Sequence, residues 1–378
     1  MRVTEPYTIF PRKLSSGKIV YYFMFRDENG RRSAMRSTGA TTLASARRYC
    51  QKLYNENQFK ASPNKVLFKS FTKDFFKEDS DFCKWKVVND GRPIGSETLR
   101  RYVGTLNYQL LPFFGDMLIT SINTNTIKKW IIWATDKWSP KTINNAQGVL
   151  SLIFRQAIEK GIILNNPLVT IKFRKVQRKK RELLTVEEIR QLYNLKWINE
   201  TQRKAFLLAS VTGMRIGEVC ALQKVDINTT FLDIKHSYSD RFGLGETKTR
   251  TCRCVPIPAG LDLLADSTND SNWVFKGVSE DKPLLTHNVY NSFTRNCDKL
   301  NIDRKGRGIT LHSLRNFFIS YMQGKNVPIQ KIKAVVGHSD PTMTDWYTYW
   351  SADMFEEVYK AQQELYNLIT KQVSITKE

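Results

Sequence analysis

The sequence predicts a multidomain, mainly helical protein with small β-sheets. Its 378 residues allow two or three domains, because one domain commonly takes roughly 100–200 residues. Hydrophobic residues make up 41% of the chain and charged residues 25%, which is enough apolar material for packed cores. A strand–turn–strand–helix pattern comes first, then a run of helical spacings, then a segment that mixes strands with helices. We therefore expect an N-terminal α+β domain, an all-helical bundle and a mixed α/β domain.

Positive charge is the strongest feature of the composition. The chain has 59 Lys and Arg against 36 Asp and Glu, a net charge of +23, and every segment except the tail shares the excess. Such a distribution favours an extended polyanion contacted by several domains, whereas the alternative is solubility alone. The apolar runs are too short to span a membrane, and the N-terminus has no signal-peptide core. The six cysteines lack disulfide spacing, so we expect reduced thiols in a cytoplasmic protein.

Residues 1–62 are expected to form the α+β domain. Two strand-like runs, 18–25 and 31–37, flank the turn Asp27-Glu28-Asn29-Gly30, which favours a hairpin. Residues 41–59 then show helical spacing. A two-stranded ribbon carrying arginines fits a DNA groove, although a sheet edge blunted by charge is the alternative. The candidate DNA contacts here are Arg31, Arg32 and Arg36.

Residues 66–165 are expected to form the all-helical domain. A breaker at 61–64 separates it from the first domain. The segment shows no residues typical of chemistry, so we interpret it as a clamp that holds a ligand for another domain, or as a plain bundle. Its helical spacings cover residues 66–78, 96–113, 124–135 and 139–160.

Residues 166–182 are expected to link this bundle to the next domain. The part 172–182 carries seven basic side chains and one acidic one, without an apolar period. Its position between two basic domains favours a path along DNA phosphates, where each contact releases counterions, over a solvated charge run. The candidate contacts are Lys175, Arg178, Lys179 and Lys180.

Residues 183–350 are expected to form the mixed α/β domain. Thr185 and Glu188 have the spacing of a capping box at a helix start. Residues 231–237 and 252–258 alternate like strands, and a polar turn with Gly243 and Gly245 lies between them. Further helices are expected at 286–300, 311–323, 328–336 and 342–349, and the acidic tail 351–378 has helical spacing over 353–369. This tail helix suits docking onto a protein groove, either on a neighbouring subunit or on its own core.

Several polar residues of this domain suggest phosphoryl transfer without a metal. His312 and Arg315 lie three apart on a predicted helix, and Arg215 sits where a glycine-containing loop enters a helix, one turn before Glu218. Paired guanidinium groups can grip the non-bridging oxygens of a phosphodiester and stabilise its transition state. A tyrosine hydroxyl can attack phosphorus, and a lysine can protonate the leaving oxygen. His338, Tyr347 nine residues later, and Lys248 in the turn complete the candidate set.

Four motifs, in order, resemble the tyrosine recombinase (integrase) family: TGMRIGEV, TKTRTCRCVPI, LHSLRNFF and VGHSDPTMTDWYTY. The resemblance covers residues 180–350. It implies that Tyr347 is the nucleophile and that Glu218 supports the first arginine. The other catalytic residues that it implies are Arg215, Lys248, His312, Arg315 and His338.

The same resemblance implies the layout and the reaction. An arm-type DNA-binding domain (1–62), a core-binding domain (66–165), a catalytic domain (183–350) and a subunit-docking tail are expected. Strands would be cleaved through a 3′-phosphotyrosine and exchanged through a Holliday junction, without ATP, metal or another cofactor. The implied partners are double-stranded DNA with core and arm sites, further copies of the chain in a tetramer, an excisionase and a host DNA-bending protein. The implied location is the bacterial nucleoid.

Some alternatives stay open from the sequence. Tyr349 lies two residues beyond Tyr347 and competes as the nucleophile, and Lys235 competes with Lys248. A type IB topoisomerase shares this chemistry. A DNA-binding regulator that has lost catalysis would share the charge but not the reaction.

Overall fold

The protein is helix-rich, with small antiparallel sheets. The computed structural model describes residues 7–14, 17–25, 35–55, 66–163, 165–177, 181–247, 252–263, 271–279, 281–337 and 355–371. Contacts separate two compact units, Met1–Gln177 and Arg178–Glu378. The boundary between them falls inside the predicted linker 166–182. No helix within the described ranges is both long and apolar enough to cross a membrane.

A three-stranded antiparallel sheet and one helix open the first unit. The elements are β1 (Tyr7–Lys13), β2 (Ile19–Phe25), β3 (Arg36–Ser37) and α1 (Leu43–Asn55), and the strand order is β1-β2-β3. Tyr7 pairs with Phe25 and Tyr22 with Ser37. Alternate residues of β2 face α1, so Phe23 and Phe25 pack with Cys50 in a small core. The sheet therefore presents one buried face to the helix.

The sequence prediction missed β1. The pairing of β2 with β3 agrees with the predicted hairpin, whose turn residues 27–30 lie outside the described ranges. Strand β1 contains Pro11, which cannot donate to a ladder and argues against a strand in the sequence. Because β1 is an edge strand, that position tolerates the proline.

Helices make up the rest of the first unit. Trp130, Phe114 and Phe154 lie fully buried in their common core. The predicted linker begins packed on this core, because Asn144 exchanges two 2.9 Å hydrogen bonds with the backbone of Arg174. The elements are α2 (Phe68–Thr72), α3 (Asp81–Asp90), α4 (Ser96–Thr105), a π-helix (Leu106–Leu110), α5 (Leu111–Phe114), a 3-10 turn (Ile119–Ser121), α6 (Thr124–Thr135) and α7 (Pro140–Glu159).

Two departures from the predicted helices have local causes. The helix expected over 96–113 widens into the π-helix because Pro112 has no N–H and its ring would meet the carbonyl four residues earlier. Within this π-helix the Gln109 carbonyl also accepts a hydrogen bond from the Trp130 indole (3.1 Å). Helix α3 was not predicted, although Ser80 caps its start and Gly91 ends it with a positive φ of 68°.

The second unit packs helices around a buried central helix, α9, with two small sheets. Residues 205–212 of α9 are all buried, as expected for a helix without a polar face. The elements are α8 (Val186–Asn194), α9 (Glu200–Thr212), α10 (Ile216–Cys220), a 3-10 turn (Lys224–Asp226), β4 (Phe231–Ile234), β5 (His236–Ser239), β6 (Gly243–Glu246), β7 (Arg253–Pro256), α11 (Thr286–Lys299), α12 (Arg304–Arg307), α13 (Ser313–Gly324), α14 (Ile329–Val336) and α15 (Glu356–Thr370). The helix expected at 342–349 lies outside the described ranges.

The polar turn expected to hold Gly243 and Gly245 is a strand instead. Strand β4 pairs with β7, and β5 forms a separate hairpin with β6, in which Ser239 lies opposite Gly243. The chain reverses over residues 240–242. Gly243 follows with a φ of 73°, which fits a three-residue hairpin loop ended by a left-handed residue.

The tail helix α15 packs on its own chain. Val358, Leu365 and Ile369 are fully buried against the core of the second unit. The Gln362 amide, also buried, donates to the carbonyls of Val211 (2.9 Å) and Pro256 (3.0 Å). The structure thus describes the own-core alternative, and docking onto a neighbouring subunit stays a prediction.

Gly213 joins α9 to the loop that precedes α10, and no larger residue fits there. Its φ is +65°, and a Cβ at this position would lie 2.5 Å from Cδ1 of Phe318. We expect Gly213→Ala to lower the free energy of unfolding by about 1–2 kcal/mol from left-handed strain and by about 1–3 kcal/mol more from overpacking.

Chemical denaturation measures the free energy of unfolding of Gly213→Ala and of the control variant Gly243→Ala. Gly243 also has a positive φ but no atom within 4 Å of a Cβ, so that variant carries the strain alone. Equal losses in the two variants would contradict the close packing of Gly213 on Phe318.

Candidate active site

The loop 213–215 places Arg215 at the start of α10. Arg215 is the N-cap residue, and its backbone N–H donates to Oε2 of Glu218 at 2.9 Å. A glutamate three residues into a helix satisfies an N–H that otherwise lacks a partner. The Arg215 guanidinium donates to Oε1 of the same carboxylate at 2.8 Å and keeps 22% of its side chain exposed. Glu218 therefore fixes both the backbone and the side chain of Arg215.

Glu218 is held from the other side by Arg253. Both side chains are fully buried, and Nη1 and Nη2 of Arg253 donate to the two carboxylate oxygens at 3.2 and 2.5 Å. Burial alone would raise the pKa of Glu218. The charge and hydrogen bonds of Arg253, together with those of Arg215, outweigh burial and lower it below its ordinary value. The carboxylate is thus a buried anion that accepts four hydrogen bonds.

Sequence analysis did not single out Arg253. It lies on β7 opposite Ile234, and Val255 on the same face is also buried. Because side chains alternate along a strand, a charged residue in register with a buried valine points into the core. A buried charge needs a partner. The alternation of Arg253 with the buried Val255 was therefore the sequence feature that could have identified Arg253.

Arg315 on α13 lies beside the same loop. It is 2% exposed, and its Nη1 donates to the carbonyl of Gly213 at 3.0 Å. Its buried Nη2 has no hydrogen-bond partner among the described residues. Burial, and next the charge of Arg215, lower the pKa of Arg315 to about 9. This guanidinium is therefore held in place with unused hydrogen-bonding capacity.

The guanidinium groups of Arg215 and Arg253 thus bind one carboxylate, and the charge of Arg315 interacts with the same carboxylate. With three cations and one anion, this cluster has a net positive charge. Paired guanidinium groups with fixed geometry suit an anion with several oxygens, such as a phosphodiester. Of these residues, the sequence predicted Arg215, Glu218 and Arg315.

The structure describes only some of the remaining predicted site residues. His312 is exposed and lies at the N-cap of α13, one residue before the helix, whereas Arg315 three residues later is buried. Arg36 lies half-buried on β3, and Lys175 is exposed. Lys248, His338, Tyr347 and Tyr349 lie outside the described residues, as do Arg31, Arg32, Arg178, Lys179 and Lys180.

Lys235, the competitor of Lys248, is engaged in ion pairs. Its Nζ lies 3.3 Å from Asp226 and 3.6 Å from Asp233. Burial lowers the pKa of Lys235, but the hydrogen bond and charge of Asp226, with Asp233, raise it above its ordinary value overall. A lysine held in this way gives up its proton less readily than a free one.

The pKa of Arg315 is lower in the folded protein than in the unfolded chain. The positive charge of Arg315 therefore lowers the free energy of unfolding at every pH below about 9. We expect Arg315→Met to raise the melting temperature at neutral pH and to reduce the stabilisation by millimolar inorganic phosphate at constant ionic strength. Differential scanning calorimetry measures both effects.

Arg304→Met is the matched control, since Arg304 is ion-paired with Asp298 at 3.0 Å. It should not raise the melting temperature, and phosphate should stabilise it as it stabilises the wild type. A lower melting temperature for Arg315→Met, with an unchanged response to phosphate, would contradict the anion site.

Comparisons with known proteins find similar proteins over most of the chain. Residues 182–353 match the phage integrase family. The tyrosine recombinase XerC of Rickettsia prowazekii (strain Madrid E) is 25% identical over 281 residues, which cover 69% of this chain and 86% of the relative. The Tn1549 transposon integrase in complex with a circular intermediate DNA has a TM-score of 0.58 at 19% identity, over 73% of this chain and 96% of that chain. A lambda integrase tetramer bound to a Holliday junction has a TM-score of 0.51 at 20% identity, over 93% and 98% of the two chains. Residues 182–353 thus form a domain of the phage integrase family, and the chain is similar to a tyrosine recombinase over 69% of its length.

Proposed function

We propose that this protein is a site-specific DNA recombinase that integrates or excises a mobile element such as a conjugative transposon or a temperate phage. It cleaves and rejoins strands through a 3′-phosphotyrosine intermediate and a Holliday junction. The observation that carries the proposal is the cationic cluster around Glu218, which lies inside the segment matched by the family.

Arg215 and Arg315 are proposed to bind the scissile phosphate. Both can donate forked hydrogen bonds to non-bridging oxygens, and the Nη2 of Arg315 is available among the described contacts. Negative charge grows on these oxygens as the phosphorus becomes pentacoordinate, so fixed cations stabilise the transition state more than the ground state. His312, at the start of α13, and His338 are proposed to assist at the same phosphate.

Tyr347 is proposed as the nucleophile. Its hydroxyl gives up its proton to water, and the phenolic oxygen forms a bond to phosphorus as the bond from phosphorus to the 5′ oxygen breaks. The 5′ oxygen takes up a proton and leaves as a hydroxyl, and the phosphodiester energy is kept in the tyrosine ester. A 5′ hydroxyl from the partner duplex attacks that ester in the reverse reaction, which releases the tyrosine. One phosphoester replaces another, so no ATP is needed.

Lys248 is proposed as the acid that protonates the leaving oxygen. The ion pairs of Lys235 with Asp226 and Asp233 favour this assignment, because a lysine held by two carboxylates gives up its proton less readily.

Double-stranded DNA with core and arm sites is the proposed substrate. The net charge of +23 favours DNA, and the structural neighbours are described as integrases on DNA, one as a tetramer. We propose residues 1–62 as the arm-binding domain, 66–165 as the core-binding domain, 183–350 as the catalytic domain and α15 as a subunit contact. An excisionase and a host DNA-bending protein are the proposed accessory partners, in the bacterial cytoplasm on nucleoid DNA.

The nucleophile is tested by Tyr347→Phe. Without the hydroxyl no ester can form, so we expect no covalent adduct on a nicked suicide substrate, while DNA binding in gel-shift assays stays close to that of the wild type. Tyr349→Phe is the matched control and should still form the adduct.

An adduct in Tyr347→Phe, or its loss only in Tyr349→Phe, would assign the reaction to another residue. Absence of an adduct with the wild type would favour a DNA-binding regulator. Efficient relaxation of supercoiled plasmid that lacks recognition sites would favour a topoisomerase.

The acid is tested with a substrate that carries sulfur in place of the 5′ bridging oxygen. We expect Lys248→Ala to slow cleavage of ordinary DNA by about 10²–10⁴-fold, the usual contribution of a general acid. The sulfur substrate should restore the rate, because a thiolate leaves without a proton.

Lys235→Ala should cleave both substrates at the wild-type rate, measured as adduct formation at saturating DNA. If instead Lys235→Ala is the variant that sulfur rescues, the two assignments are reversed.

A further inference from the structure

Arg253 makes a set of contacts that the reaction scheme above does not use. Its side chain is fully buried, and all three of its donor nitrogens are engaged. Nη1 and Nη2 donate to Glu218, and Nε donates to the carbonyl of Val335 at 2.8 Å. A guanidinium with every nitrogen bonded is held in a single orientation.

These contacts join three segments of the catalytic unit. Arg253 itself lies on β7, Glu218 lies on α10 behind Arg215, and Val335 lies in the last turn of α14. Gly337 ends α14 with a φ of +68°, and a Cβ there would lie 3.1 Å from Cδ, Nε and Nη1 of Arg253. The backbone of Gly337 is therefore packed closely on the Arg253 side chain.

We propose that Arg253 is a positioning residue for DNA cleavage, which orients Arg215 toward the scissile phosphate through Glu218 and fixes the end of α14 against α10. The inference rests on the proposed recombinase function. It adds a residue that does not touch the DNA but determines how strongly Arg215 can act on it.

Arg253 can have this role because it shares the negative charge of Glu218 with Arg215. A buried carboxylate that faced Arg215 alone would neutralise the cation that the phosphate needs. The Arg253 guanidinium binds both carboxylate oxygens, at 2.5 and 3.2 Å, whereas the Arg215 guanidinium binds one of them, at 2.8 Å. The carboxylate is therefore held to β7, and the charge of Arg215 remains available to an anion. The Glu218 carboxylate then orients Arg215 without competing with the phosphate for its charge.

Removal of Arg253 would also change the titration of Glu218. The charged groups that face this carboxylate within the described residues are Arg215 from its own loop, Arg253 from β7 and Arg315 from α13. Burial raises the pKa of Glu218, and Arg253 and Arg215 lower it. Without Arg253, burial would dominate, and the carboxyl would take up a proton at a higher pH than in the wild type.

Arg253→Met tests the inference by single-turnover adduct formation at saturating suicide substrate. We expect the cleavage rate to fall by about 10–100-fold, the loss that follows removal of an orienting partner in metal sites, with the Kd for DNA unchanged. The deficit should widen as the pH falls, because Glu218 takes up a proton at a higher pH in this variant than in the wild type. In Glu218→Gln/Arg253→Met this extra pH dependence should disappear, because glutamine does not ionise.

Arg307→Met is the matched control. Arg307 forms the same kind of fork with Glu188, at 2.5 and 3.1 Å, in the same unit. Its loss should lower the melting temperature but leave the cleavage rate at saturating DNA and its pH profile unchanged. A cleavage loss common to both variants would mean that Arg253 only stabilises the fold.

Arg253→Lys decides the matter if circular dichroism shows that Arg253→Met does not fold. The lysine keeps the charge but not the fork, so slower cleavage with unchanged DNA binding is expected. A wild-type cleavage rate in either folded variant would overturn the inference. Failure of the wild type itself to form an adduct would instead overturn the proposed function.

Discussion

The buried fork between Arg253 and Glu218 is the interaction on which the rest of the site depends. It joins β7 to α10, and through the Val335 carbonyl it also joins both to the end of α14. Breaking a buried ion pair by removing one partner typically costs about 3–5 kcal/mol, because the other charge is left without compensation. The positions of the Arg215 loop and of the backbone after α14 are therefore coupled, although they are far apart in sequence.

Around this fork the protein tolerates an excess of positive charge. Arg315 is buried beside Arg215, with one nitrogen unsatisfied among the described contacts and its pKa lowered to about 9. In a free protein such an arrangement opposes stability, whereas a bound phosphodiester would supply the missing acceptors and the missing negative charge. Active sites often give up stability for function in this way, and the fixed donors need no reorganisation when the transition state forms.

Much of this organisation could be predicted from local patterns. Helical spacing predicted residues 124–135, and the structure has α6 at Thr124–Thr135. The Thr185–Glu188 capping box is present at the start of α8. Local patterns failed where distant contacts decide the structure. Edge strand β1 tolerates a proline, and in the π-helix before Pro112 the Gln109 carbonyl accepts a hydrogen bond from Trp130. Arg253 is assigned only when the register of β7 is known, because nothing near it in sequence shows that Glu218 is its partner.

The central claim is that the phenolic oxygen of Tyr347 becomes esterified to DNA in a reaction that this cationic cluster assists. The most direct measurement is peptide mass spectrometry of the wild-type protein, digested after quenching with a suicide substrate. The account predicts that the nucleotide is attached through its 3′ phosphate to Tyr347. Attachment to any other side chain, attachment through a 5′ phosphate, or the absence of a crosslinked peptide would contradict it.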